Sequence, residues 1–202
     1  MSTNPVSGKA LAAGSSLSSK TPAASALPLT SEPADPITLF ITWTTYGTWL
    51  PGDSRGWRKW KAGDQQPQPL LEDWCRDQMK DKPLFLNESQ RAEVEKVIRK
   101  HANIRGWELH AVSARSNHVH VAVTVVPKVS GKALAAGSSA VKRVRDQFKA
   151  NGTTALRRMT EPVTHEKVWT KGGDIEFIDT DDDLEQVVIY ITEAQDRMER
   201  GK

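Results

Sequence analysis

Two histidines one residue apart, His118 and His120, lie within the run Ser116–Val126, SNHVHVAVTVV. In an extended strand, residues two apart share a face, so His118 and His120 point one way with Ala122 and Thr124, and Val119, Val121, Val123 and Val125 point the other. The strand rise sets the two imidazoles roughly 6–7 Å apart at the backbone, close enough for their ring nitrogens to converge on one cation. The plainer alternative is a pair of partly exposed histidines with no ligand. What separates the two is whether another chemically competent group comes to the same face.

Several chemistries use closely spaced histidines. A cupin-type metal site needs a glutamate a few residues past the second histidine, where Val123, Thr124, Val125 and Val126 stand. A histidine-triad hydrolase needs a third alternating histidine, where Ala122 stands. A nickase holds a divalent ion on the pair and attacks a phosphodiester with a tyrosine, and the chain has only Tyr46 and Tyr190 to offer. Tyr190 falls in a segment whose apolar residues Leu184, Val187, Val188, Ile191 and Met198 form a helical stripe. At 100° per residue it lies about a quarter turn off the centre of that stripe, a rim position that buries part of the ring and leaves the hydroxyl free. An ordinary boundary tyrosine would occupy the same place.

The elements that must position these groups follow from pattern. ITLFITW alternates, with Ile37, Leu39, Ile41 and Trp43 on one face, and predicts a half-buried strand. The Gly- and Pro-rich stretch that follows, to about residue 69, reads as a long loop. Asn87 as cap, Val94, Val97 and Ile98 as an apolar face and Gly106 as a stop predict a helix. WELHAVSA and NHVHVAVTVV, separated by Arg115, Ser116 and Asn117, predict a hairpin. AVKRVRDQFKANGTTALRRM predicts a basic helix broken near Asn151-Gly152, and KVWTKGGDIEFI a short strand, a Gly-Gly turn and a second strand. A final helix starts at the acidic run Asp181–Asp183, which suits the positive end of a helix. The order is the split βαβ pattern of ferredoxin-like folds, an α+β class. It predicts one antiparallel sheet with two helices on one face, the histidine strand central, and the other face partly open.

Length and composition set the frame. The chain has 202 residues, 38% of them hydrophobic, which suits one domain and a tail. Residues 1–36 are rich in Ser, Ala and Pro and read as a disordered tail, leaving 37–198 as the domain. VSGKALAAGSS occurs twice, at Val6–Ser16 and at Val129–Ser139, and the second copy reads as an inserted surface loop over 128–140. One cysteine, Cys75, excludes an internal disulfide and any site needing several thiolates. The absence of a leader pattern or a membrane-length apolar run points to a cytoplasmic protein with no membrane partner. A net charge of +3 is compatible with a nucleic-acid partner.

SNHVHVAV followed far downstream by YITEAQ resembles the single-tyrosine HUH transposases, and TTYGTWLPGD with WTKGG resembles their REP-associated branch. The resemblance covers Ile37 to Gln195 and implies a magnesium- or manganese-dependent enzyme. Such an enzyme cleaves and rejoins single-stranded DNA next to hairpins, as a monomer or a homodimer. It implies His118 and His120 as metal ligands and Tyr190 as the nucleophile. Relatives often carry Gln or Asn four residues after the tyrosine. Ala194 stands there, so Gln195 becomes the third ligand only if the helix bulges, with Glu193 second. Lys142, Arg143, Arg145 and Lys149 on the basic helix suit phosphates, Trp57 and Trp60 among cations suit unpaired bases, and Arg115 suits a phosphate beside the histidines. Two other functions fit the same residues: a degenerate hairpin binder that no longer cuts, and a phosphoesterase that uses water in place of Tyr190.

Overall fold

The computed structural model describes residues 35–59, 62–126 and 137–194, all within the unit Ser31–Lys202. The tail up to residue 34, most of the inserted loop, Trp60 and Gln195 lie outside the described residues. Strand β1 (Ile37–Thr44) is followed by a short hairpin, β2 (Trp57–Lys59) and β3 (Gly63–Gln65), and a helix α1 (Pro69–Asp77). Then come helix α2 (Glu88–Arg105), strands β4 (Glu108–Ala114) and β5 (His118–Val125), helix α3 (Gly137–Arg158), strand β6 (Asp174–Ile178) and helix α4 (Asp181–Ile189). A π-helical turn, Tyr190–Ala194, continues α4.

The main sheet is antiparallel in the order β4-β5-β1-β6, the ferredoxin-like arrangement, with the histidine strand β5 and β1 at its centre. One face is the core. Leu39, Ile41 and Trp43 of β1 and Val119, Val121, Val123 and Val125 of β5 are buried with Val94 and Ile98 of α2 and Val141, Val144 and Phe148 of α3. Each fully buried side chain of this kind contributes roughly 1.5–3 kcal/mol, so this face fixes the register of both central strands. The caps of α2 are those expected. The Asn87 side chain accepts from the Gln90 amide, the Gln90 side chain accepts from the Asn87 amide, and Gly106 closes the helix at φ 66°.

Several expectations are corrected. The histidine face is not the open one, because α4 and the π turn lie on it and bury Ala111, Ala122 and Ile191 with Phe40 packed alongside. The long loop after β1 contains β2, β3 and α1; three-residue strands rich in charge carry no alternation to read. Helix α3 runs unbroken through Asn151-Gly152. Gly152 serves packing instead: a Cβ there would sit 3.1 Å from the Trp169 ring. The same helix begins inside the second repeat copy, so residues 137–140 are helix rather than loop. Lys167–Trp169 forms no strand, only one bridge from Trp169 to Thr45.

Candidate active site

Strand alternation brings both histidines to the face away from the core, and the β1–β5 register sets Thr42 opposite His120 and Thr44 opposite His118. The two imidazoles lie with ring centroids 4.6 Å apart. Thr42 Oγ1 is 2.8 Å from His120 Nδ1, and Asn117 Oδ1 is 2.6 Å from His118 Nδ1. An amide oxygen only accepts, so His118 carries its proton on Nδ1 and keeps the lone pair on Nε2. The tautomer in which His120 Nδ1–H donates to Thr42 leaves Nε2 in the same state. Phe40 stacks on His120 at 5.6 Å and 20° between planes.

His120 is 5% exposed. Burial, with the charges of His118 and Arg115 nearby, pushes its imidazole down to about 3, so the ring is neutral near pH 7. Its Nε2 is buried and has no hydrogen-bond partner among the described residues. A buried orphan nitrogen costs free energy, and a neutral imidazole whose other nitrogen is held by a hydroxyl is a metal donor in waiting. The pair therefore fits a divalent cation with its remaining positions filled by oxygens. Among the described residues, no three His, Cys, Asp or Glu side chains converge as a ready-made cage.

Tyr190 comes to this place from the far end of the chain. Its ring meets His120 edge-on at 5.5 Å and Phe40 at 6.1 Å. The residue is 37% exposed, and its hydroxyl makes no hydrogen bond among the described residues. Ile191 beside it is fully buried and anchors the turn. Tyr190 is also the first residue of the π turn, in which bonds run from i to i+5. Glu193 is exposed on that turn.

The other predicted residues divide. Arg115 is 7% exposed, and its amide donates to the His118 carbonyl at 2.8 Å, which closes the turn before β5. Lys142 and Arg143 are exposed on α3. Arg145 and Lys149 turn inward. Arg145 donates to the Gly173 carbonyl and to Asp146, and Lys149 Nζ donates to the carbonyls of Thr170 and Gly172 at 2.6 and 2.7 Å. These two cations tie α3 to the loop before β6. The Trp57 indole donates to the Gln66 carbonyl at 3.1 Å and pins β2 to the segment after β3. Thr42 and Phe40 escaped the sequence reading; the available signal was their position on the non-core face of β1, but their partners depend on the β1–β5 register.

An antiparallel ferredoxin-like sheet with paired histidines beneath a tyrosine-bearing C-terminal segment defines an α+β protein of the histidine-pair, single-tyrosine class. Residues 78–194 match the family Transposase IS200 like, and the chain belongs to that family. Two solved structures are similar. A REP-associated tyrosine transposase bound to a REP hairpin matches at 14% identity and a TM-score of 0.47, over 80% of this chain and 68% of that one. A protein of Deinococcus radiodurans R1 assigned to the transposases matches at 14% identity and a TM-score of 0.35, over 78% of this chain and 90% of that one. No curated protein matches the sequence. No helix among the described residues is long and apolar enough to cross a membrane.

Proposed function

We propose that the protein cleaves and rejoins single-stranded DNA at hairpin-associated sites through a 5′-phosphotyrosine at Tyr190. The observation that carries this reading is the convergence, on one face of the sheet, of a neutral histidine pair from β5 and an unengaged tyrosine hydroxyl from the C-terminal turn. His118 and His120 would hold magnesium or manganese through Nε2, and the ion would supply Lewis-acid polarisation and orientation of the scissile phosphate. Thr42 and Asn117 keep both rings in the tautomer that presents Nε2. Gln195 is the proposed third ligand and Glu193 the second choice, because a wider turn starting at Tyr190 carries the fifth residue back toward the tyrosine's face.

Tyr190 Oη attacks phosphorus, the Oη–P bond forms as the bond to the 3′ oxygen breaks, and the phenolic proton passes to solvent. The departing strand takes up a proton as a 3′-hydroxyl. Reversal rejoins the strands with no nucleotide cofactor, since the tyrosyl ester conserves the phosphodiester. An unperturbed phenol titrates near pH 10, so the nucleophile depends on a polarised phosphate. Phe40 and the buried Ile191 fix the tyrosine ring against the histidines and spare it a search through rotamers. Lys142, Arg143 and Arg115 are the proposed phosphate contacts.

The test is covalent trapping. Labelled single-stranded hairpin oligonucleotides from the flanks of the gene are mixed with protein and magnesium or manganese and run on a denaturing gel. A shifted band that requires the metal and disappears in Tyr190→Phe and His118→Ala is expected. Cleavage that survives Tyr190→Phe would move the chemistry to activated water, and binding to a cognate site without a covalent band would leave a hairpin binder.

A further inference from the structure

Beside the histidine pair lies a groove of about 550 Å³ that the proposed cleavage chemistry does not use. Its walls come from Trp49 and Trp57, its far side from Asp64 and Gln65 of β3, and its near side from Thr42 and Asp174. Thr42 is shared: the residue whose hydroxyl meets His120 also lines the groove, so a strand whose phosphate sits at the histidines passes directly over it. Both wall indoles are fixed by their N–H groups, Trp49 on the Gly56 carbonyl at 2.8 Å and Trp57 on the Gln66 carbonyl at 3.1 Å. Trp49 is 44% exposed, and the Arg55 guanidinium sits over its ring at 4.9 Å, itself clamped by Asp53. At the floor, Trp43 keeps a buried indole N–H that has no hydrogen-bond partner among the described residues. The near edge is kept narrow at Gly173, where a Cβ would sit 2.6 Å from the Thr42 carbonyl oxygen.

We infer that this groove is a pocket for one unpaired base of the bound strand, with guanine favoured. The inference rests on the single-strand reading above. Indoles held rigid by their own N–H groups offer ring faces at little entropic cost, and base–indole stacking is tolerant of sequence. Selectivity comes from the edge groups. The carboxylates of Asp64 and Asp174 accept hydrogen bonds only, and guanine alone presents adjacent N1–H and N2–H donors to such an acceptor. The pocket would therefore choose the base next to the cut, while the histidines and tyrosine stay indifferent to sequence.

The seven tryptophans make the test direct. Protein labelled with ¹⁵N at tryptophan is titrated with the pentanucleotides TTGTT, TTATT, TTCTT and TTTTT, and the indole N–H resonances are followed. Selective shifts of Trp49 and Trp57, strongest for TTGTT, are expected. Trp57→Ala is expected to weaken TTGTT binding roughly tenfold, the scale of one stacked base. Asp64→Asn with Asp174→Asn keeps the packing and is expected to erase the preference for TTGTT over TTATT. Equal shifts for all four oligonucleotides, or no response from these two indoles, would overturn the pocket. Covalent trapping at Tyr190 is scored separately. An adduct with silent indoles sinks the pocket and leaves the nickase standing; responding indoles without an adduct do the reverse.

Discussion

The two faces of the central strands are built from alternate residues of the same short segments, yet they obey different rules. On the face toward α2 and α3, Val119, Val121 and Val123 are fully buried among aliphatic and aromatic neighbours, with nothing polar to satisfy. On the face toward α4, His120 is almost as buried, but it carries an orphan nitrogen, a hydroxyl partner and a tyrosine at its edge. The first face holds the sheet rigid. The second spends some of that rigidity on a buried polar group whose cost only a ligand would relieve. A one-residue shift of β5 would exchange the two roles, so the valines position the histidines as firmly as any direct contact does.

Four measurements would break or sharpen this contrast. The largest effect is expected on the packed face: Phe148→Ala costs about 3–5 kcal/mol in chemical denaturation, while manganese affinity per folded molecule stays unchanged by calorimetry. Loss of metal binding in the folded fraction would mean that the faces are not separable. His120→Ala gives the opposite profile, with at least a 100-fold loss of manganese affinity and a change in stability of less than about 2 kcal/mol. Thr42→Val keeps shape and removes the oxygen beside His120 Nδ1; manganese affinity falls roughly 10-fold to 100-fold, and unchanged affinity would remove Thr42 from the site.

The smallest effect concerns α3, which divides its cations in the same way, Lys142 and Arg143 outward, Arg145 and Lys149 inward. Burial and Arg145 push the Lys149 amine down to about 8 from the ordinary 10.5. Below pH 8 both folded and unfolded chains hold the proton and the cost of burying it is constant. Between 8 and 10.5 the unfolded chain holds more protons, so stability rises with pH across that window. The slope is less than about 1.4 kcal/mol per pH unit, because two carbonyls favour the ammonium, and Lys149→Met flattens it.

Much of this was legible in the chain. The alternation of ITLFITW and HVHVAV identified the central strands, their common core face and the shared face of the histidines. The Asn87 and Gly106 caps identified α2. The rim position of Tyr190 followed from helical spacing, and the structure leaves it partly exposed. What escaped depends on tertiary contact. No local pattern tells that α4 folds over the histidine face, that Arg145 and Lys149 reach back to a loop, or that Gly152 makes room for Trp169 rather than ending a helix. Thr42 needed the β1–β5 register, which sequence constrains only through the two apolar faces.

The carbonyl of Asn117 accepts from the Thr45 amide at 2.9 Å and from the hydroxyls of Thr45 and Thr48 at 3.1 and 3.2 Å. This joins the first residue before the histidine strand to the stretch that leads into Trp49. Mechanically it is a crossbar: the turn that aims the histidines and the wall of the groove cannot open separately. In exchange with heavy water, the Thr45 amide will therefore lose its proton in step with the amides of β5 and not with those of the surrounding loop.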